Sequence, residues 1–365
     1  MRIGIAGWFG SDNLGDELLL HALMGSARAA APAASFVVLC PEPARVTALH
    51  GVDAIHLPTL RAKGSANRQG VVTRALRGCD LLLLGPGTVF QERSPNLPWP
   101  GTLPMFARIV AMARLAGTPV AVAGAGVREG GTVAGRRLLR VIGAGCASVG
   151  VRDARSAGYF GRSARVIGDL AYTLALPDRP AVTGDRFAVS MRPLAPAVEG
   201  PLLAALSGAT GALATDGWSG AFLPMAYGRG AQGEDDAVHA RALPDLADAV
   251  ANPLEGGGPF GPALDDWLRR LGAHRLVLGV RLHAVLLAVA MGVPTVAIAY
   301  ERKVHDAFVD LGLERYVVGT GVDAGTLHRT ARAAVDDADT FAVAAKRLAE
   351  QGAVAKAFVA GVVAG

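Results

Sequence analysis

Residues 276–304, LVLGVRLHAVLLAVAMGVPTVAIAYERKV, constrain the fold more than any other stretch of the chain. Val277, Leu278 and Val280 form a short apolar run suited to a buried strand. An apolar helix follows to about Met291, Gly292 and Pro294 end it, and residues 295–299 read as the next buried strand before a basic loop over 300–303. The run is apolar enough to suggest a membrane span. His283 interrupts it, however, and Gly292-Val293-Pro294 would break a spanning helix in its middle. The unit is therefore strand–helix–strand, with Arg281 and His283 at a helix N-terminus on the carboxyl edge of a parallel sheet. That edge binds ligands in open α/β folds, and its free N–H groups favour anions. On spacing alone, an ordinary core unit in which Arg281 makes a local contact explains the stretch equally well.

The length, 365 residues, is that of two domains. Mean hydropathy is +0.35 because Ala, Val and Leu are spread along the chain, and no single long apolar segment accounts for it. The net charge of +5 comes mostly from scattered arginines, densest at Arg136, Arg137 and Arg140 on an expected helix. No aromatic residues interleave with them, which leaves nucleic-acid binding a weak option, and the basic balance fits a small anionic ligand at least as well. Cys40, Cys79 and Cys146 are far apart and odd in number, without a Cys-x-x-Cys pair, as in a reduced, cytoplasmic protein. Residues 1–10 enter a strand directly, without a signal-peptide pattern. The acidic run 336–339 reads as a solvated helix junction, and no spacing suits a metal.

Glycine-bearing turns recur after the expected strands. The first is Gly7–Glu17, GWFGSDNLGDE, between strand 2–8 and a helix over 16–30. It lacks the G-x-G-x-x-G dinucleotide fingerprint, and Asp16 and Glu17 suit the first turn of a helix on dipole grounds alone. Gly85-Pro86-Gly87-Thr88 follows strand 80–84, and Gly124-Ala125-Gly126 follows strand 119–123. Residues 94–101 are expected to form a loop. Arg152 stands after strand 147–151, with Asp153 placed to cap helix 154–160. Residues 177–185 form the expected linker. Beyond it Arg192 follows strand 187–191, and further elements are expected at 202–213 (helix), 220–224 (strand), 234–242 (helix), 256–261 (loop), 263–271, 324–335 and 339–351 (helices).

Together these segments resemble the polysaccharide pyruvyl transferase family. The residues that carry the resemblance are GWFGSDNLGDE at 7–17, LGPGTVFQ at 84–91, Val151-Arg152-Asp153, Ser190-Met191-Arg192-Pro193, and Gly279–His283 through Val304, in that order. The family is similar in fold to GT-B glycosyltransferases. It implies an α/β protein of two facing Rossmann-like domains with parallel sheets and an interdomain cleft: 1–177 on the acceptor side, 186–345 on the phosphoenolpyruvate side, and a helical tail at 346–365. The implied reaction moves the pyruvyl group of phosphoenolpyruvate onto two hydroxyls of a sugar-containing acceptor as a ketal and releases phosphate.

On that resemblance His283 and Arg281 are the expected catalytic residues, with Arg152, Arg192, Arg281, Leu282 and Lys303 on the donor. Gly10, Asn13, Gly15, Asp16, Glu17, Gly85, Gly87 and Thr88 are expected on the acceptor, and no metal or cofactor beyond the co-substrate is implied. Two departures stand out: Gly85-Pro86-Gly87 where the family tends to have three glycines, and Met225-Ala226-Tyr227-Gly228 where a polar residue or histidine is expected. The alternatives are a nucleotide-sugar-dependent GT-B glycosyltransferase and a non-catalytic sugar- or nucleotide-binding protein. The chain is expected to bind no nucleic acid and to contain no integral membrane segment, and no oligomeric state is read from it.

Overall fold

The computed structural model describes residues 1–58, 65–93, 100–128, 131–162, 164–227, 236–240, 243, 246–255 and 259–365. The expected loop over 94–101 falls mostly outside them, as do residues 256–258 and the ends of the expected helix 234–242. The chain divides into two compact units. One is Met1–Ser11, Asp16–Leu174 and Gln351–Gly365; the other is Asp12–Gly15 and Ala175–Glu350.

In the first unit the strands are β1 (Arg2–Ala6), β2 (Ser35–Cys40), β3 (Asp53–His56), β4 (Leu81–Leu84), β5 (Gly87–Phe90), β6 (Val120–Val127), β7 (Ser148–Val151) and β8 (Ala164–Val166). They pair in parallel in the order β3-β2-β1-β4-β6-β7-β8, with β5 also on β6. A parallel sheet is covered on both faces, so its strands are continuous apolar runs. All four leucines of β4 are buried accordingly.

Two expectations change here. Gly124-Ala125-Gly126 lies inside β6 and is not a turn: the register shifts between Ala123 and Ala125, and the bulge admits Gly124 at φ +67° while pairing resumes. Gly85-Pro86-Gly87-Thr88, joined by a cis Gly85–Pro86 bond, feeds directly into β5. Asp153 does cap helix Ala154–Phe160, accepting the Ser156 N–H at 2.7 Å.

The second unit contains β9 (Arg186–Ser190), β10 (Ser219–Phe222), β11 (Leu246–Ala249), β12 (Leu276–Gly279), β13 (Thr295–Ala299) and β14 (Val317–Gly319). They are parallel in the order β11-β10-β9-β12-β13-β14. The linker is fastened to this unit by Arg179, whose guanidinium donates to the carbonyls of Gly272 (3.1 Å), Gly292 (2.7 Å) and His274 (3.1 Å).

Several helices exceed their expected bounds. One begins at Phe260 and one at Pro196, where proline suits the first turn. The basic loop is short because helix Arg302–Asp310 starts within it, burying Val304 and Phe308 one turn apart. The last helix runs to Ala364, and its end, from Gln351, is part of the first unit: a Cβ at Gly150 would lie 2.6 Å from the Phe358 ring. Among the described residues one helix, Pro196–Thr215, is long and apolar enough to cross a membrane by length and composition.

All three cysteines are free, and burial pushes the Cys40 and Cys146 thiols up to about 12. At pH 8 about one such thiol in ten thousand is ionised. Ellman's reagent should therefore label both very slowly in the native protein and promptly once urea unfolds it.

Candidate active site

Each sheet reverses its strand order once, between β1 and β4 in the first unit and between β9 and β12 in the second. The carboxyl ends flanking such a reversal form the crevice that binds ligands in open α/β folds. The sequence motifs stand at these points. Gly7–Glu17 follows β1 and Gly85–Thr88 follows β4; Arg192 follows β9 and Arg281–His283 follows β12.

In the second unit β9 and β12 are in register through Gly279 and Ser190, and the Val280 N–H donates to the Ser190 carbonyl at 2.8 Å. Arg281 occupies the N-cap position of helix Leu282–Ala290 in an extended conformation, without a side-chain cap bond. Its guanidinium is buried in a two-pronged ion pair with Asp236, with Nε 3.0 Å from Oδ2 and Nη2 on Oδ1. Asp236 is fully buried, and its Oδ2 also accepts the Met225 and Ala226 N–H groups at 3.0 and 3.1 Å. Arg281 is thus tied to a carboxylate of its own unit, and that carboxylate fixes the segment after β10.

That segment holds another. Leu14 donates to the Met225 carbonyl (2.7 Å), Tyr227 donates to the Asp12 carbonyl (3.0 Å), and Asn13 and Ala226 form an antiparallel bridge. Asn13 Oδ1 accepts the Gly15 N–H at 3.0 Å. Gly15 is thereby pressed against His283, where a Cβ would lie 2.5 Å from the imidazole Nδ1. Gly15 and His283, far apart in sequence, meet at this contact. Gly15→Ala should push the imidazole aside, and for a histidine that acts on a substrate a shift of about 1 Å lowers turnover on the order of 100-fold. Turnover measured beside an unchanged melting temperature checks this.

Leu282, buried, begins the same helix. Arg192 donates from Nη1 to the Tyr300 hydroxyl at 2.8 Å and stacks over its ring at 4.9 Å. Lys303 lies 5.7 Å from the same ring and pairs with Glu301 at 2.7 Å. Beside Tyr300 is a depression of 410 Å³ lined by Ala299, Tyr300, Glu301, Arg302, His305 and Asp306. Arg192, His283 and Lys303 therefore mark the ends of three adjacent strands, β9, β12 and β13, with two helix N-termini opening at the same edge.

In the first unit Glu17 is fully buried. Its Oε1 accepts the Gly10 N–H at 2.6 Å and its Oε2 meets His50 Nε2 at 2.9 Å, also fully buried. Both carboxylate oxygens are engaged in holding the loop, and so is the Gly10 N–H. Asp16 is half-buried, with its carboxylate beside Gly87: a Cβ there would lie 3.7 Å from Oδ1. Gly85 and Gly87 both have positive φ, and a Cβ at Gly85 would meet the Ala123 carbonyl at 2.8 Å; Thr88 is half-buried in β5. Arg152 sits with the first unit, against Gly126, with Nε 3.4 Å from Asp153 and Nη1 3.8 Å from Asp169. Arg281, Arg192, Leu282, His283 and Lys303 thus lie in the second unit with Asn13 and Gly15, and Arg152 lies in the first unit, as do Gly10, Asp16, Glu17, Gly85, Gly87 and Thr88.

Sequence reasoning missed Asp236 and Tyr300, which contact Arg281 and Arg192, and a buried His239 whose Nε2 lies 3.5 Å from Glu199. Glu199 accepts the Leu194 N–H at 2.6 Å, just beyond Arg192. The one available signal was for Asp236, which closes an acidic run that has no apolar periodicity to explain it. Among the described residues no group of three or more His, Cys, Asp or Glu could hold a metal ion.

Solved structures similar to the chain include a protein described as a UDP-N-acetylglucosamine 2-epimerase from Listeria monocytogenes (TM-score 0.63, 10% identity, 97% of this chain and 93% of that one). A second is UDP-GlcNAc 2-epimerase from Neisseria meningitidis bound to UDP-GlcNAc (0.60, 10%, all of both chains). A third is the spinosyn rhamnosyltransferase SpnG complexed with thymidine diphosphate (0.53, 14%, 98% and 99%). At these identities the likeness shows a shared fold, the GT-B fold. No curated protein matches the chain. The family model described as polysaccharide pyruvyl transferase matches residues 13–302, from the segment packed on His283 to the start of the helix after β13. By that match the chain belongs to the polysaccharide pyruvyl transferase family.

Proposed function

We propose that the protein transfers the pyruvyl group of phosphoenolpyruvate to two hydroxyls of a sugar-containing acceptor, forming a ketal and releasing phosphate. The observation that carries this reading is the cluster of Arg192, His283 and Lys303 at three neighbouring strand ends, with Gly15 packed on the imidazole. Phosphoenolpyruvate carries a phosphate and a carboxylate. Arg192 and Lys303 supply the opposite charge, and the N-termini of helices Leu282–Ala290 and Arg302–Asp310 supply N–H groups. Arg281, paired with Asp236, acts by fixing the backbone from which His283 projects.

In this reading the imidazolium of His283 gives its proton to the methylene carbon of the donor, leaving an oxocarbenium-like centre at the neighbouring carbon. One sugar hydroxyl attacks that carbon and its proton returns to the imidazole. The second hydroxyl then displaces phosphate, and its proton leaves with the phosphate.

The test is a phosphate-release screen with phosphoenolpyruvate across sugar acceptors, run beside thermal shifts. Stabilisation by phosphoenolpyruvate with acceptor-dependent phosphate release supports the reading. Stabilisation by a nucleoside diphosphate instead, with no phosphate release, would replace it with a glycosyltransferase.

A further inference from the structure

The arginine cluster of the sequence has no part in the chemistry above, and the structure shows where it lies. Arg136, Arg137 and Arg140 are exposed on helix Val133–Ala144, whose other face buries Leu139 and Ile142 in the core of the first unit. On the exposed face Val133 is 60% and Val141 64% exposed. The stripe Val133, Arg137, Arg140, Val141, Ala144 follows the helical repeat. Helix Leu103–Leu115 lies alongside: Arg114 at its end donates to the Gly145 carbonyl at 3.3 Å, and Leu115 beside it is 87% exposed. Between residues 102 and 144 there are six arginines and a single acidic residue, Glu129. Neither helix carries an acid.

We propose that this two-helix face docks on an anionic lipid surface. Two features on the same face select that partner. The guanidinium groups of Arg114, Arg136, Arg137 and Arg140 match the negative potential of acidic headgroups, each adding attraction near the surface. The apolar side chains between them, Leu115, Val133 and Val141, have no use against a nucleic-acid backbone but favour the headgroup–acyl boundary. The attachment is peripheral and salt-sensitive, and it does not depend on the reaction proposed above.

Co-sedimentation with vesicles tests it, using phosphatidylcholine alone and phosphatidylcholine mixed with phosphatidylglycerol at about 7:3. The protein is expected to pellet with the anionic vesicles only and to be released by salt. The triple variant Arg136→Gln/Arg137→Gln/Arg140→Gln should lower the partition coefficient about 100-fold, and Leu115→Ser/Val141→Ser about tenfold. All these residues are exposed, and circular dichroism confirms that each variant is folded. The proposal is overturned if the wild type stays in the supernatant, if the triple variant pellets like the wild type, or if a duplex RNA binds more tightly than the anionic vesicles.

Discussion

His283→Ala is expected to lower phosphate release from phosphoenolpyruvate by about 10²–10⁴-fold, the range for losing a positioned general acid. The fold should survive the change. His283 is half-buried in the first turn of its helix, alanine is the best helix former, and the Gly15 contact loses atoms without exposing a core. The decisive companion is His283→Gln, which keeps polar atoms but has no proton to give at neutral pH. It should still be stabilised by phosphoenolpyruvate in a thermal shift while failing to release phosphate. Wild-type turnover by either folded variant removes His283 from the mechanism.

The other large effect concerns stability. Asp236→Ala should cost about 3–5 kcal/mol, because it leaves the buried Arg281 guanidinium without its counter-charge. The Met225 and Ala226 N–H groups lose their acceptor as well. Removing both charges together in Asp236→Leu/Arg281→Met should cost much less, since no buried charge is stranded. Urea midpoints at constant slope measure the difference. Equal losses in the single and double variants would mean that the pair contributes packing volume alone.

Much of this site was readable in the sequence because its positions follow local rules. A buried strand, a tight turn and a helix put Arg281 and His283 at a strand end, and the same logic put Arg192 and Gly85 there. The contacts that fix the strand-end segments within each unit obey no local period. Asp236 and Arg281 are 45 positions apart, and Glu17 and His50 are 33 apart. Both pairs are polar groups that become buried only when distant segments fold together. Glu17 fits the first turn of its helix on dipole grounds, so nothing in the chain signals that its carboxylate also holds Gly10. Helix Arg302–Asp310 was hidden for another reason: its buried Val304 and Phe308 are spaced one turn apart inside a charged run that reads as loop.

The antiparallel stitching of Asp12–Gly15 onto Met225–Tyr227 bears on how the gene can be dissected. A recombinant fragment starting at Ala175 would contain all six strands of the second sheet yet lack the four residues that pair with the segment after β10 and wall His283. Such a fragment would leave the backbone of Met225 and Tyr227 facing water. Its imidazole would have solvent where Gly15 stood. A peptide carrying residues 12–15, added in trans or spliced to the fragment by a short linker, would be the natural means of completing it.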